Sequence, residues 1–95
     1  MMTVNSTITR LNQRTAPIDL SKEDDELWHA LKALRLDLAR EQGVPPYVIF
    51  HDATLMEMVR EKPHDAVALG LLPGVGAKKL ERYGDYFLDV ILQHT

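Results

Sequence analysis

The segment Ser21–Gly43, SKEDDELWHALKALRLDLAREQG, decides the fold class of this chain. Its leucines recur at spacings of four, three and four residues, at Leu27, Leu31, Leu34 and Leu38. This spacing places them on one face of a helix. Ser21 is typical of an N-cap, the carboxylates after it favour the positive end of a helix dipole, and Gly43 is typical of the residue after the last turn. We therefore expect an amphipathic helix from about 22 to 42.

The residues after Gly43 predict short connections and further helices. Pro45-Pro46 prevents the first helix from continuing. The apolar run 47–50 is expected to be a packed extended segment or a single turn, because a strand here would have no partner. Further helices are expected over 53–62, 65–70, 77–83 and 85–93. The predicted fold is all-α, a compact five-helix bundle with short connections.

Some details of these helices follow from single residues. The side chain of Asp52 or Thr54 is expected to cap the helix over 53–62. Gly84 is expected to interrupt or bend the chain between the last two helices, because glycine is unfavourable in a helix interior. The side chains expected to face the core from the short third helix are Val67 and either Leu69 or Leu71.

The chain divides into an N-terminal arm and an acidic domain. Residues 1–21 are polar, lack a sustained hydrophobic period and contain Pro17, so we expect a linker or flexible arm before a domain over 22–95. Eleven Lys and Arg against fourteen Asp and Glu give a net charge of −3, and residues 23–95 alone hold eight against thirteen, a net −5. This balance argues against a generic nucleic-acid binder and limits any such contact to a small patch.

The composition also excludes several classes of site. The absence of cysteine excludes disulfides, thiolate metal sites and a cysteine nucleophile. No apolar run approaches the roughly 18 residues of a membrane helix, so we expect no membrane partner. The lack of cysteine fits an intracellular, cytoplasmic protein, and we expect a monomer. The four histidines lack metal-ligand spacing, and no motif assembles an acid, a base and a nucleophile. We expect neither catalysis nor a bound metal.

The strongest local binding signal is the turn LPGVG at 72–76, which basic residues follow. Gly74 and Gly76 permit a tight turn before a helix whose first backbone N–H groups suit a phosphate. The basic residues after them are Lys78, Lys79 and Arg82. The arrangement is similar to half of a helix-hairpin-helix phosphate clasp. The alternative is that the glycines only make a tight interhelical turn and the basic side chains are solvated.

The second binding signal is Tyr47, which follows two prolines. An exposed aromatic ring on a loop stacks on an unpaired base, which contributes roughly 1–3 kcal/mol per base. Lys32 and Arg35 of the first helix would flank this ring if the loop folds back onto that helix. The alternative is that Tyr47 packs into the core, as the neighbouring Phe50 is expected to do.

Four blocks of this sequence resemble one known family. They are residues 27–38, GVPPYVIFHDATL at 43–55, PGVG at 73–76 and KLERYG at 79–84. In order and spacing they resemble the HRDC domain (helicase and RNase D C-terminal), in its bacterial RecQ version, over about residues 23–93. The resemblance implies a five-helix module without an active site, at the C-terminus of an ATP-dependent 3′–5′ DNA helicase that requires Mg²⁺.

The resemblance also implies a function and a set of site residues. It implies an auxiliary domain without a cofactor of its own that modulates binding to single-stranded or branched DNA. The family's loop aromatic corresponds to Tyr47, and the basic residues of its first helix to Lys32 and Arg35, although Asp37 dilutes the basic cluster here. The acidic charge implies weak intrinsic DNA affinity. The expected DNA contacts are Lys32, Arg35, Tyr47, Gly74, Gly76, Lys78, Lys79 and Arg82.

A second function remains open on the same resemblance. The domain would then be a regulatory module that docks on the helicase core or on a partner protein, with little direct DNA binding. A parent of the RNase D type that acts on RNA is a third reading. A RecQ-type parent implies a role in DNA repair, recombination and replication, in the bacterial cytoplasm and in association with the nucleoid.

Overall fold

Residues 21–95 are described by the structure, a computed structural model, and this part of the chain holds five α-helices and no strand. The helices are α1 (Lys22–Gln42), α2 (Pro46–Ile49), α3 (Asp52–Glu61), α4 (Ala66–Gly70) and α5 (Gly76–Gln93). The prediction of an all-α, five-helix fold is confirmed. The predicted arm over 1–21 lies outside the described residues except for Ser21, so its boundary remains a prediction.

The long helix α1 begins and ends where the sequence predicts. The Ser21 hydroxyl accepts a hydrogen bond from the Asp24 backbone N–H at 3.1 Å, a cap that contributes about 1 kcal/mol. Gly43 adopts a left-handed φ of 66°, and its N–H donates to the Arg40 carbonyl at 3.2 Å. α1 then packs against α2, α3 and α5, so it forms the centre of the fold.

The short helix α2 is a single turn, which is one of the two forms predicted for this segment. Pro46 occupies its first turn, where the fixed φ of proline favours a helix and its missing N–H costs nothing. Phe50 is extended and ends the helix. Ile49 and Phe50 are fully buried, whereas Tyr47 and Val48 are exposed. The turn therefore anchors one side in the core and presents the other to solvent.

The helix α5 is continuous through Gly84, so the predicted interruption is wrong. Gly84 is buried in the helix, and a Cβ there would lie 3.0 Å from Leu80 Cδ1 and 3.9 Å from Leu69 Cδ2. The closer of these neighbours, Leu80, belongs to α5 itself, whereas Leu69 of α4 would be at an ordinary van der Waals distance, so glycine here spares the packing of Leu80 at a cost of roughly 1 kcal/mol in helix propensity. The expected and observed numbers of helices are both five, but for different reasons. The structure adds the short helix α2, and it joins the last two predicted helices into α5.

The helix α4 buries less than the sequence predicts. Leu69 is fully buried, as expected for one of two leucines, but Val67 is 75% exposed and Leu71 is 80% exposed. The Asp65 side chain accepts a hydrogen bond from the Ala68 N–H at 2.8 Å and caps the helix. A helix of five residues makes little more than one turn, so only one long side chain reaches the core. The inward prediction for Val67 is wrong for this reason.

The core joins the aromatic residues of α5 to the end of α2. Phe50 packs edge-on against Phe87, with ring centroids 4.9 Å apart, and against Tyr83 at 6.1 Å. Each of the longer helices buries a set of residues, and those of α1 confirm its predicted apolar face. These sets include Leu27, Leu31 and Leu38 of α1, Leu55, Met58 and Val59 of α3, and Tyr83, Phe87 and Ile91 of α5.

Candidate nucleic-acid interface

The exposed aromatic ring of Tyr47 is held at the surface by the α2 turn. The residue is 58% exposed, although Ile49 and Phe50 beside it are fully buried. Its ring stacks on the ring of His51, with centroids 5.8 Å apart and planes 26° from parallel. The structure therefore places Tyr47 in the exposed position that base stacking requires, and not in the core.

The buried ring of Phe50 links this surface to the start of α5. The Lys79 ammonium lies 5.8 Å from the centroid of that ring. Phe50 follows Tyr47 by three residues and ends α2, so Lys79 reaches the end of the helix that carries Tyr47. A side chain of one predicted binding signal thus contacts the helix end that adjoins the other.

The turn before α5 is fixed by a hydrogen bond from α3. The buried Thr54 hydroxyl donates to the Pro73 carbonyl at 3.1 Å. Gly74 has a φ of 87°, and a Cβ on it would collide with Thr54 Oγ1. Gly76 has a φ of 67° with open space around its Cα, so glycine is favoured there for backbone conformation alone.

The first turn of α5 offers backbone donors to an anion. Val75 precedes it without a side-chain cap, and the first turn contains no acidic residue. Residues 74–79 line a shallow, open depression at this point. Uncapped N–H groups and the positive end of an 18-residue helix favour a negatively charged group there.

The basic side chains of this surface are not neutralised by carboxylates. Lys32, Lys78 and Arg82 are exposed and Lys79 is half-buried. Within residues 21–95 the salt bridges involve none of these four cations. Three of them instead lie over aromatic rings, because in addition to Lys79 on Phe50 the Lys32 ammonium is 5.2 Å from the Trp28 centroid and the Arg82 guanidinium 5.5 Å from that of Tyr83.

Arg35 differs from the other predicted contacts because it is buried. Only 8% of the residue is exposed. One of its terminal nitrogens donates to the Phe50 carbonyl at 2.9 Å, and the other lies 2.7 Å from the Asp52 carboxylate. The side chain thus reaches the connection between α2 and α3, but its charge faces protein groups. Its predicted contact with DNA is not tested by these contacts and stays a prediction.

Sequence reasoning missed the role of the first turn of α3. His51 precedes this helix without a side-chain cap, so the predicted cap by Asp52 or Thr54 is wrong. Asp52 pairs with Arg35, and Thr54 holds the Pro73 carbonyl. Both partners lie at least seventeen residues away in sequence, so no local pattern could have revealed them.

The opposite charge collects at the start of α1. Glu23, Asp24, Asp25 and Glu26 occupy its first turns, and Asp24 pairs with Lys62 at 2.6 Å. Among the described residues, no group of three or more His, Asp or Glu side chains is arranged to hold a metal ion. No helix in that part of the chain is sufficiently long and apolar to cross a membrane.

Comparison with known proteins adds a family to this geometry. The family model of the HRDC domain matches residues 24–91. The ATP-dependent DNA helicase UvrD2 of Mycobacterium tuberculosis is 46% identical over 72 residues, which cover 76% of this chain and 10% of that protein. The ATP-dependent DNA helicase RecQ of Bacillus subtilis is 45% identical over 69 residues, covering 73% of this chain and 12% of that protein.

Two further similarities extend the match. The ATP-dependent DNA helicase RecQ of Haemophilus influenzae is 34% identical over 89 residues, covering 94% of this chain and 14% of that protein. The solved structure of D. radiodurans RecQ HRDC domain 3 aligns with a TM-score of 0.71 and 36% identity, covering 74% of this chain and 92% of that chain. This chain therefore spans between 10% and 14% of the length of these helicases but nearly all of an isolated domain.

Proposed function

This chain belongs to the HRDC domain family, and from that premise we propose that it is an auxiliary domain that modulates how a RecQ-type DNA helicase binds single-stranded or branched DNA. The observation that carries the proposal is the exposed Tyr47 ring, in the helix that Phe50 ends, with the Phe50 ring lying against Lys79 at the basic start of α5. In this proposal the domain acts without a cofactor or an active site of its own. The helicase to which it belongs supplies the ATP- and Mg²⁺-dependent chemistry, in the bacterial cytoplasm at the nucleoid.

Base stacking on Tyr47 supplies the first contact. The ring is more than half exposed and already stacked on His51, so little further ordering is needed when a base arrives. Stacking on an aromatic side chain contributes roughly 1–3 kcal/mol per base and tolerates any sequence. An unpaired base is required, so the contact favours single strands and the unpaired parts of branched DNA.

Phosphate binding at the start of α5 is the second proposed contact with DNA. A phosphate in the depression over residues 74–79 accepts hydrogen bonds from backbone N–H groups of the first turn, while Lys78 and Lys79 supply positive charge. Gly74 and Gly76 shape this turn, and Arg82 lies one turn further along the helix. Lys32 on α1 adds a further exposed cation.

The acidic balance of the domain makes this binding weak. At most four exposed or half-exposed cations are available in the proposed surface, against a net charge of −5 over residues 23–95. Each neutralised phosphate of a single strand contributes about −0.7 to the slope of log affinity against log salt. We therefore expect a slope no steeper than about −3. Such a domain adjusts the affinity of a larger enzyme and does not replace its own DNA-binding surfaces.

Fluorescence anisotropy with a labelled oligothymidylate at low ionic strength tests the proposal. We expect Tyr47→Ala to weaken binding about tenfold, because one stacking contact is lost. Tyr86→Ala is the matched control, since Tyr86 is 55% exposed on α5 and Tyr47 is 58% exposed on α2. The control should bind within twofold of the original chain. Equal affinity of the two variants would contradict the assignment of this surface.

A docking function is the second candidate, and two surface features favour it. The start of α1 is strongly acidic, and Val67 of α4 and Leu71 directly after it expose an apolar pair. Such a surface suits a basic and partly apolar partner, such as another domain of the helicase. Removing the domain from the complete helicase would then change its action on forked DNA even if the isolated domain binds no oligonucleotide. Identical behaviour of complete and truncated helicase would exclude both functions.

A further inference from the structure

The Arg35 guanidinium is enclosed by protein on nearly every side. One terminal nitrogen donates to the Phe50 carbonyl at 2.9 Å, and the other lies 2.7 Å from an Asp52 carboxylate oxygen. Its third nitrogen, Nε, is also buried. Only a tenth of the side chain is exposed. A phosphate would therefore have to displace existing partners to reach this charge.

The two partners of Arg35 stand on either side of His51 in the sequence, and the ring of His51 stacks on that of Tyr47. Phe50 ends α2, and Asp52 begins α3. The planar guanidinium presents its donors in a fixed arrangement, so it holds a carbonyl and a carboxylate at once. Arg35 thus fastens this connection to the long and well-packed helix α1.

We infer that Arg35 is a positioning residue that holds the α2–α3 connection so that His51 and Tyr47 stay stacked for a base, and that it makes no contact with the DNA backbone. The inference rests on the proposed function, because it explains how the Tyr47 surface keeps the conformation that binds a base. A ring that is ordered before binding loses less conformational freedom when the base arrives. The role of Arg35 is therefore indirect, whereas that of Lys32, one turn earlier on α1, is a direct charge contact.

The first test uses the protein without DNA, so it does not depend on the proposed function. Val48 N–H donates to the Pro45 carbonyl at 3.0 Å within the α2 turn. We expect Arg35→Met to speed amide exchange at Val48 about tenfold, since the connection loses its anchor, while amides around Phe87 in α5 stay protected. Lys32→Met is the control and should leave both unchanged. Unchanged exchange at Val48 in a folded Arg35→Met variant would overturn the inference.

The second test compares salt dependence, which separates positioning from phosphate contact. Arg35→Met and Lys32→Met each remove one positive charge. We expect Arg35→Met to weaken oligothymidylate binding about fivefold with the salt slope unchanged, whereas Lys32→Met reduces the magnitude of the slope by about 0.7. A reduction of that size in the Arg35→Met variant would mean that Arg35 contacts a phosphate, and would overturn the inference.

Substitution of Asp52 makes the two explanations predict opposite changes in DNA affinity. It also provides the test if Arg35→Met does not fold. Asp52 has a side chain that is 72% exposed, so removing its charge should by electrostatics alone strengthen DNA binding. Positioning predicts the reverse, and we expect Asp52→Ala to weaken binding about threefold and to speed exchange at Val48. Asp85→Ala, on exposed α5 surface, is the control for loss of an acid and should bind slightly more tightly.

The outcomes separate failure of the inference from failure of the proposed function. If the original chain binds no oligonucleotide, the proposed function fails, and the exchange at Val48 alone decides the role of Arg35. If the chain binds and Asp52→Ala binds more tightly, the inference fails while the proposed function stands. Local loosening together with weaker binding at an unchanged slope supports both.

Discussion

The two short helices, α2 and α4, both expose apolar side chains, but they are held in different ways. α2 sets Tyr47 at the surface and is joined to α1 through the Phe50 carbonyl and Arg35. α4 exposes Val67 and carries its cap on its own Asp65. The first is held through a hydrogen bond from a buried arginine of α1, the second by its local cap and by packing against α5, where Leu69 is buried.

This difference separates two kinds of exposed apolar surface. The exposed ring of α2 is three residues from Phe50, against whose ring Lys79 of α5 lies, and Lys79 forms no salt bridge within residues 21–95. The helix α4 contains Val67, is followed directly by Leu71 and has no charged residues, and the nearest charge along the chain is the capping Asp65. Fixed geometry beside positive charge favours nucleic acid, and an apolar pair without charge favours protein. The proposed function therefore gives different partners to the two helices.

The largest expected effect concerns the anchor of α2. Phe50→Ala should lower the free energy of unfolding by about 4 kcal/mol, since it leaves a cavity against Phe87 and Tyr83. Tyr47→Ala, three residues earlier, should lower it by less than about 0.5 kcal/mol, because the ring is at the surface. Urea unfolding measures both. If Tyr47→Ala lowers the free energy of unfolding by about 2 kcal/mol or more, the Tyr47 ring packs against the core, which contradicts the comparison.

A smaller effect is expected at the turn between α4 and α5. Gly74→Ala should lower the free energy of unfolding by about 3 kcal/mol, because a positive φ and a collision with Thr54 act together. Gly43→Ala is the matched control, with a positive φ but open space, and should lower it by about 1 kcal/mol. Equal effects in urea unfolding would show that Thr54 does not confine this turn.

The smallest effect is expected on the exposed side of α4. Replacing Val67 and Leu71 together by serine should change the free energy of unfolding by no more than about 1 kcal/mol, because both side chains are already in solvent. The affinity for oligothymidylate should stay within twofold. Loss of DNA binding in this double variant would place the nucleic-acid surface on α4 and would reverse the comparison.

The sequence was sufficient for the long elements because their signals are local. The spacing of Leu27, Leu31 and Leu38, with the cap at Ser21 and Gly43 at the end, defined α1 to the residue. The exposure of Tyr47 was one of two open alternatives, and the structure decided it. The position of Lys79 on the ring of Phe50 could not be predicted, since it joins residues 29 positions apart.

The errors arose where a tertiary contact changed the meaning of a local signal. The sequence predicts a break at Gly84, but α5 continues through this residue, which is buried beside Leu80 and Leu69. The sequence predicts caps at Asp52 and Thr54, but their side chains bind Arg35 and the Pro73 carbonyl. Each residue type suits both uses, and only the folded neighbours decide between them.

Chemical-shift mapping by NMR tests the central claim most directly, namely that the α2 surface and the start of α5 form one DNA-binding surface. Titration of the labelled domain with oligothymidylate should shift the amides of Tyr47, His51 and residues 76–79 together, with the same apparent affinity. The amides of α4 and of the acidic start of α1 should stay in place. Shifts confined to α4 or to the start of α1, or no shifts at all at low ionic strength, would contradict the account.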